Sequence, residues 1–166
     1  MSRKLAILLP MLAVGVALDQ LTKFLVIQAL PLGTQIPVIR GFFNLVHIRN
    51  RGAAFGLLAN LSPHFAWGFF LATTTLVLAV VAYLWWRLSE KDTLASFGYG
   101  LIFTGALGNL LDRLRLGEVI DFLDFHLGRY HWPAFNLADT LVCLGAGLLV
   151  WAILQKDQSP DVSHSL

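Results

Sequence analysis

The chain has 166 residues, of which 57% are hydrophobic and 13% are charged, and its formal net charge is +2. This apolar, weakly charged composition excludes an ordinary soluble domain. It predicts an integral membrane protein that forms one unit, with no nucleic acid among its partners.

Four segments are apolar over the roughly 20 residues that a helix needs to cross a bilayer. They are predicted at about 5–30, 65–86, 93–112 and 133–154. The first follows Arg3 and Lys4 as a signal peptide would, but its apolar run continues past Lys23 and no small-residue cleavage site follows. We therefore expect a retained span. One integral membrane domain over residues 1–156 and a disordered cytoplasmic tail over 157–166 complete the predicted organisation.

The order of the spans places the end of the first, the end of the third and the start of the fourth on one face of the membrane. The two long connections, 31–64 and 112–132, lie on that face as well. Lysine and arginine occur on both sides, so their bulk distribution does not decide the orientation. Arg3 and Lys4 beside the first span favour cytoplasmic termini.

Every charge embedded in a predicted span falls near that same face. Asp19 and Lys23 lie late in the first span, Asp112 and Arg113 end the third, and Asp139 begins the fourth. A charged side chain in hydrocarbon costs about 2.5 kcal/mol or more, so these groups should face one another or a wet cavity. Asp19 with Lys23, and Asp112 with Arg113, are the expected ion pairs; they are either purely structural or border a site.

Asp121 and Asp139 have no cation close in sequence. Asp121 lies in the apolar stretch EVIDF, and Asp139 follows Asn136 by three residues in FNLAD, which is typical of a helix N-cap followed by an acid. Two acids that meet at a low-dielectric entrance share a proton, because like charges at close range raise one pKa. An aspartic peptidase activates water in this way. The alternative is a capping role for Asp139 and a surface position for Asp121, as we expect for Asp124 and Glu118.

Five motifs follow one another along the chain: DQLTK at 19–23, NRGAAFG at 50–56, GNLLDR at 108–113, VIDF at 119–122 and FNLAD at 135–139. With them the chain resembles the lipoprotein signal peptidases of bacteria, signal peptidase II, from Asp19 to about Leu154. The resemblance implies an all-α membrane protein, a four-helix bundle with a small β-cradle and an interfacial amphipathic element on the extracytoplasmic side. It also implies a multi-pass protein of the bacterial cytoplasmic membrane.

The activity implied by the resemblance is that of an aspartyl endopeptidase with no cofactor and no metal. Such an enzyme removes signal peptides from prolipoproteins on the N-terminal side of a diacylglyceryl-modified cysteine. It works among membrane phospholipids, is expected to be a monomer, and is a target of cyclic depsipeptide inhibitors such as globomycin. Asp121 and Asp139 match the catalytic dyad. The other matching positions, which line or support the site, are Asp19, Lys23, Asn50, Gly52, Gly108, Asn109, Asp112, Arg113, Asn136 and Ala138.

The first long connection, the asparagines and Arg113 allow more detailed predictions. β-branched and aromatic residues around Arg40 predict a small strand pair. The stretch GAAFGLL predicts an amphipathic element at the interface, in which Gly52 and Gly56 serve as lid hinges or as simple turns. Asparagine amides suit both the orientation of a carboxylate and the binding of a peptide carbonyl. Arg113 is expected either to bind a lipid phosphate or to neutralise Asp112.

Other functions and sites remain as alternatives. An ion-coupled transporter would need polar groups leading to both faces, whereas the inner halves of the four spans are apolar. A lipid-binding factor without catalysis would use the same pocket. His126 and His131 lack the spacing of a zinc site, and Cys143 is expected to be a small buried hydrophobe.

Overall fold

The structure is a computed structural model that describes residues 2–52 and 62–157. The helices are α1 (Arg3–Ala29), α2 (Pro63–Arg87), α3 (Thr93–Leu116) and α4 (Leu137–Asp157). The strands are β1 (Gln35–Ile39), β2 (Phe43–Asn50), β3 (Val119–Leu127) and β4 (Tyr130–His131). The predicted amphipathic element beyond residue 52, which includes Gly56, and the predicted tail from residue 158 lie outside the described residues.

All four helices are long and apolar enough to span a membrane, which confirms the predicted bundle. Two of the predicted boundaries are wrong. Helix α3 extends to Leu116, and α4 begins at Leu137 instead of residue 133. The segment before α4 is extended because Phe135 pairs with Leu123 of β3 and its carbonyl oxygen accepts hydrogen bonds from the backbone N–H groups of Phe122 and Leu123.

Helix α3 is the central helix of the bundle and packs against each of the other three. Small residues allow this close approach. Gly105 lies directly against the backbone carbonyl of Ala138 in α4, and a Cβ added at Gly108 would be 2.6 Å from a carboxylate oxygen of Asp19 in α1. Lipid tails are as apolar as leucine, so membrane helices associate through tight packing of small residues and through polar contacts.

The four strands form one antiparallel sheet in the order β1-β2-β3-β4. Strands β1 and β2 are the predicted strand pair, which is confirmed, and Gly41 supplies a positive φ of 79° between them. Strand β3 was not predicted as a strand. It pairs with β2 from Asn50 opposite Val119 to Phe43 opposite Phe125.

An apolar cluster attaches the sheet to the bundle. Val26 and Leu30, at the end of α1, pack against Ile120 and Phe122 of β3, and all four are buried. Asp121 lies between these two β3 residues, so the cluster that anchors the strand also places this acid at the end of the helices.

The expected burial of Cys143 is wrong, because its side chain is exposed on α4. Leu18, Leu21 and Phe24 of α1 are also about half exposed. In a membrane the outer face of a bundle contacts lipid, so an apolar residue is as stable on that face as inside the protein.

We predict that Gly105→Ala weakens the bundle, because the added methyl group overlaps the carbonyl of Ala138. Overpacking of this kind costs about 1–3 kcal/mol. The measurement is thermal unfolding in detergent. Gly147→Ala is the matched control, since nothing lies within 4 Å of the Cβ position there. Equal melting temperatures for the two variants would contradict the close packing of α3 on α4.

Candidate active site

A buried ion cluster lies between α1 and α3 at the end of the bundle that carries the sheet. Lys23 Nζ is 2.9 Å from Asp19 Oδ2 and 2.8 Å from Asp112 Oδ2, and all three side chains are at most 2% exposed. The predicted pair of Asp19 with Lys23 is confirmed. The predicted pair of Asp112 with Arg113 is wrong, since Asp112 pairs with Lys23 and adjacent helical residues do not face each other.

The ion cluster also binds the backbone of the two acid-bearing elements. Asp19 Oδ1 accepts a hydrogen bond from the Ala138 N–H in the first turn of α4, at 2.9 Å. Asp112 Oδ2 accepts one from the Ile120 N–H of β3, at 3.4 Å. Ile120 immediately precedes Asp121. The cluster therefore ties α1 and α3 to both segments that carry the candidate acids.

Gln20 is a member of this cluster that the sequence reasoning missed. Its Nε2 donates to Asp112 Oδ1 at 2.9 Å, to Asp19 Oδ2 at 3.2 Å and to the Gly108 carbonyl at 3.3 Å. Its Oε1 accepts a hydrogen bond from Arg115 at 3.0 Å. Gln20 lies inside the DQLTK motif, and its position next to Asp19 was the available signal.

Three asparagine side chains orient the two candidate acids. Asn50 donates to Asp121 Oδ2 at 3.0 Å, and Asn136 donates to Asp121 Oδ1 at 2.8 Å. Asn109 donates to Asp139 Oδ1 at 2.8 Å. An amide N–H stabilises a carboxylate without adding positive charge. Within residues 2–52 and 62–157, no cation that would neutralise the acids is in direct contact with them.

Asn136 contacts both acids because it is also the N-cap of α4. Its Oδ1 accepts from the Asp139 N–H at 3.0 Å, and its own N–H donates to Asp139 Oδ2 at 3.2 Å. This reciprocal pair is a capping box. Asp139 therefore has the helix-capping role that was predicted as one alternative. Its carboxylate contacts Asn136, the same asparagine that binds Asp121. The surface interpretation of Asp121 is wrong, since it is 2% exposed.

Lys23 determines which way the Asn109 amide points. Its Nζ donates to Asn109 Oδ1 at 3.1 Å, and Asn136 Nδ2 donates to the same oxygen at 3.1 Å. With the oxygen occupied by two donors, the amide nitrogen faces Asp139. The ion cluster therefore acts on Asp139 through one neutral side chain.

The pKa of Asp121 is raised to about 7, chiefly by burial and also by the Asp139 carboxylate, against the opposing effect of the hydrogen bonds from Asn50 and Asn136. Asp121 therefore retains its proton in a large share of molecules at neutral pH. Asp139 is only partly buried. The structure brings together two carboxyl groups that interact with each other, as a shared proton requires.

Asp124 is 6% exposed, so its expected surface position is wrong. Asn44 donates to its Oδ2 at 2.7 Å, and His131 Nδ1 lies 2.8 Å from its Oδ1. Burial acts to raise the pKa of Asp124, but the hydrogen bonds from Asn44 and His131 outweigh it and the pKa is lowered. Among the described residues, no group of three or more His, Cys, Asp or Glu side chains is placed to hold a metal ion.

Arg113 interacts electrostatically with the acids, and Gly52 contacts Asn50, which binds Asp121. The Arg113 guanidinium stands 5.7 Å over the Phe70 ring and interacts electrostatically with Asp139. Gly52 has a φ of +104°, its N–H donates to Asn50 Oδ1 at 2.8 Å, and a Cβ there would overlap the Phe70 ring. A glycine is required at this position for both reasons. Because the Gly52 N–H occupies the Asn50 side-chain oxygen, the Asn50 amide nitrogen faces Asp121.

Nearly the whole chain is similar to proteins of one family. The model of the family described as "Signal peptidase (SPase) II" matches residues 11–155. The chain belongs to the signal peptidase II family. Family membership confirms the resemblance carried by the five motifs, and it makes the chain a signal peptidase and hence a protease.

Individual members of the signal peptidase II family match over similar lengths. The lipoprotein signal peptidase of Desulforapulum autotrophicum is 49% identical over 147 residues, which cover 89% of this chain and 90% of that protein. The one from Nitratidesulfovibrio vulgaris is 47% identical over 162 residues, covering 97% and 96%. A solved structure titled as a bacterial membrane enzyme at 2.3 Å has a TM-score of 0.75 at 31% identity, covering 94% of this chain and 92% of that one.

We predict that Lys23→Met destabilises the protein far more than Lys156→Met. Removing one partner of a buried ion pair costs about 3–5 kcal/mol because the remaining charge is left uncompensated. Lys156 pairs with Asp92 on the surface at 2.9 Å, and exposed pairs contribute about 1 kcal/mol or less. Denaturant unfolding in detergent measures both variants. A loss for Lys23→Met no larger than for Lys156→Met would mean that the buried cluster does not support the fold.

Proposed function

We propose that the chain is an aspartic endopeptidase that cleaves the signal peptide from prolipoproteins, on the N-terminal side of a cysteine carrying a diacylglyceryl group. Asp121 and Asp139 are its catalytic pair. The observation that carries this proposal is that both carboxyl groups share Asn136 as a partner. Within the described residues, neither forms a salt bridge.

In this mechanism Asp121 begins protonated and Asp139 begins ionised. The raised pKa of Asp121 supports the first assignment. The position of Asp139 in the first turn of α4 supports the second, since the N-terminal end of a helix favours a negative charge. Asp139 takes a proton from water, and the resulting hydroxide attacks the scissile carbonyl carbon while Asp121 donates a hydrogen bond to its oxygen. Asp139 then passes the proton that it took from water to the amide nitrogen, and the C–N bond breaks.

The neutral asparagines are essential to this mechanism. A lysine or arginine in contact with the acids would stabilise both in the ionised form, and the carbonyl would lose its proton donor. Asn50, Asn109 and Asn136 orient the carboxyl groups while leaving one proton shared between them. The positive charge of Lys23 lies behind Asn109, where it stabilises the fold.

The position of the site also fits a lipid-modified substrate. The acids lie where α1 and α3 end and α4 begins, which is the end of the bundle that carries the sheet. A substrate with a helical signal peptide and two acyl chains reaches such a site by lateral movement in the bilayer. We propose cytoplasmic termini and a site near the extracytoplasmic face of the cytoplasmic membrane. We further propose that Arg113 binds a phosphate of the surrounding phospholipids.

The proposed site uses residues of one chain, so a monomer is sufficient for catalysis. The proposed inhibitors are cyclic depsipeptides, which would compete with the substrate for the space between the two acids.

We predict that Asp121→Asn and Asp139→Asn each lower kcat by about 1,000-fold, because an amide neither takes a proton from water nor holds the shared one. Substrate binding is retained. The assay follows cleavage of a purified diacylglyceryl-modified prolipoprotein, and Asp92→Asn at the start of α3 is the matched control. Full turnover by either dyad variant would rule out the mechanism and favour a lipid-binding factor.

We predict that kcat/KM falls about tenfold per pH unit above about pH 7, because the protonated form of Asp121 is lost as pH rises through its pKa of about 7. A separate acidic limb is expected where Asp139 takes up a proton and no longer acts as the base. Asn50→Ala removes a hydrogen bond that lowers this pKa, so the falling limb moves to higher pH. Asn44→Ala, in the same strand, leaves the limb in place. A rate that rises above pH 7, or a limb that Asn50→Ala does not move, would show that Asp121 is not the acid.

A further inference from the structure

Two adjoining cavities lie at the end of the bundle opposite the candidate acids. The apolar cavity has a volume of about 180 Å³ and is lined by apolar and aromatic side chains of α1, α2 and α3, including Leu8, Val81 and Phe103. The polar cavity has a volume of about 340 Å³ and is lined by Ser2, Lys4, Leu5, Trp85, Trp86 and Glu90. Both tryptophans line both cavities. The two cavities therefore form one cleft with a polar end and an apolar end.

A buried lysine fixes the wall of the cleft. Lys4 is 9% exposed. Its Nζ donates to the carbonyl oxygens of Trp85, Trp86 and Leu88 at 3.3, 3.2 and 2.7 Å. The Trp85 indole N–H donates to Ser96 Oγ of α3 at 3.0 Å. Because the three donors of the Lys4 ammonium are used within the protein, recognition of a ligand depends on the groups beside it.

Glu90 is an acid at the polar end without a counter-charge. One of its carboxylate oxygens accepts a hydrogen bond from the Lys4 backbone N–H at 3.2 Å, and the residue is exposed. In the part of the chain that the structure describes, Glu90 forms no salt bridge. Ser2 Oγ accepts from the Leu5 N–H at 3.3 Å, so its hydroxyl proton is available to an anionic group. The polar end therefore contains an acceptor for a cation and a donor for an anion.

We propose that the cleft binds a zwitterionic phospholipid whose headgroup carries a primary ammonium. One acyl chain fills the apolar cavity, the ammonium donates to the Glu90 carboxylate, and the phosphate accepts from the Ser2 hydroxyl. Arg3 and Arg87 are exposed and each is adjacent in sequence to a lining residue, so they add positive charge on the side of the phosphate. This lipid site is separate from the candidate acids and does not depend on the proposed function.

Depth and charge favour this occupant. Trp85 and Trp86 lie in the last turn of α2, and tryptophan is enriched at the level of the lipid headgroups. Phe103 lies ten residues after Thr93, the first residue of α3, which is about 15 Å at 1.5 Å per residue. This is half of a hydrocarbon core of about 30 Å, the depth of one leaflet. A helix of a second protein in the cleft would leave Glu90 without a cation, whereas an ammonium headgroup supplies one.

The test measures lipid binding to the delipidated protein in detergent by native mass spectrometry. The probes are phosphatidylethanolamine, phosphatidylcholine and phosphatidylglycerol with identical acyl chains. The choline headgroup keeps the positive charge but has no N–H to donate, and the glycerol headgroup has no cation. We expect a Kd for phosphatidylethanolamine about tenfold lower than for the other two lipids, since a hydrogen bond to a charged group supplies about this factor.

Two pairs of variants separate the headgroup from the acyl chain. Glu90→Gln still accepts the Lys4 N–H and should remove most of the preference for phosphatidylethanolamine over phosphatidylcholine. Glu118→Gln, which changes a glutamate paired with Arg51 at the sheet end, should keep it. Ala82→Phe places a ring in the apolar cavity and should weaken binding of all three lipids. Ala72→Phe, at an exposed position of α2 outside the cavity lining, should leave binding unchanged.

The melting temperature of each variant without added lipid shows whether it is folded. Equal Kd values for phosphatidylethanolamine and phosphatidylcholine, or tightest binding of phosphatidylglycerol, would overturn the inference. A preference that survives Glu90→Gln, or lipid binding that Ala82→Phe does not weaken, would overturn it as well. These results leave the proposed function untouched, because that function is tested by cleavage and this site by lipid affinity.

Discussion

The buried contact of Lys23 with Asp19 and Asp112 is the interaction on which the site depends. Three charged groups removed from water are costly, and their mutual attraction offsets that cost only when every oxygen is also hydrogen-bonded. This condition is met. Asp19 binds the Ala138 N–H, and Asp112 binds the Ile120 N–H, while Gln20 donates to both carboxylates. A shift of α1 against α3 would break several of these contacts at once.

Charged and neutral groups are arranged in two layers around the acids. The charged layer of Lys23, Asp19 and Asp112 fixes helix positions. A neutral layer of asparagines separates it from Asp121 and Asp139, and the contact of Lys23 with Asn109 joins the two layers. The ion pairs therefore hold the helices in place, while Asp121 keeps its raised pKa. A site with direct lysine contacts would be as rigid but would lose the raised pKa of Asp121.

The bundle supports this arrangement without a large apolar core. Gly105 and Gly108 bring α3 into contact with α4 and α1, and the large apolar side chains of the helices face outward. The one apolar cluster described here, at the end of α1, holds β3 against the bundle. Lipid covers the outer faces, so burial within the protein is reserved for small residues and for polar contacts. Tolerance to mutation should accordingly be low on the small-residue face of α3.

Local sequence pattern alone predicted the four spans, the β1–β2 pair, the cap at Asn136 and the pair of Asp19 with Lys23. Each of these features depends on residues that are close together in the chain. The five motifs were sufficient for the family. Tertiary structure alone decided that Asp112 pairs with Lys23, that Gln20 joins the cluster, that β3 is a strand and that Asp124 is buried. These contacts depend on helix rotation and strand register between segments up to about a hundred residues apart, as for Gln20 and Asp112. Periodicity and composition carry no information on either quantity, because both are set by how whole elements pack.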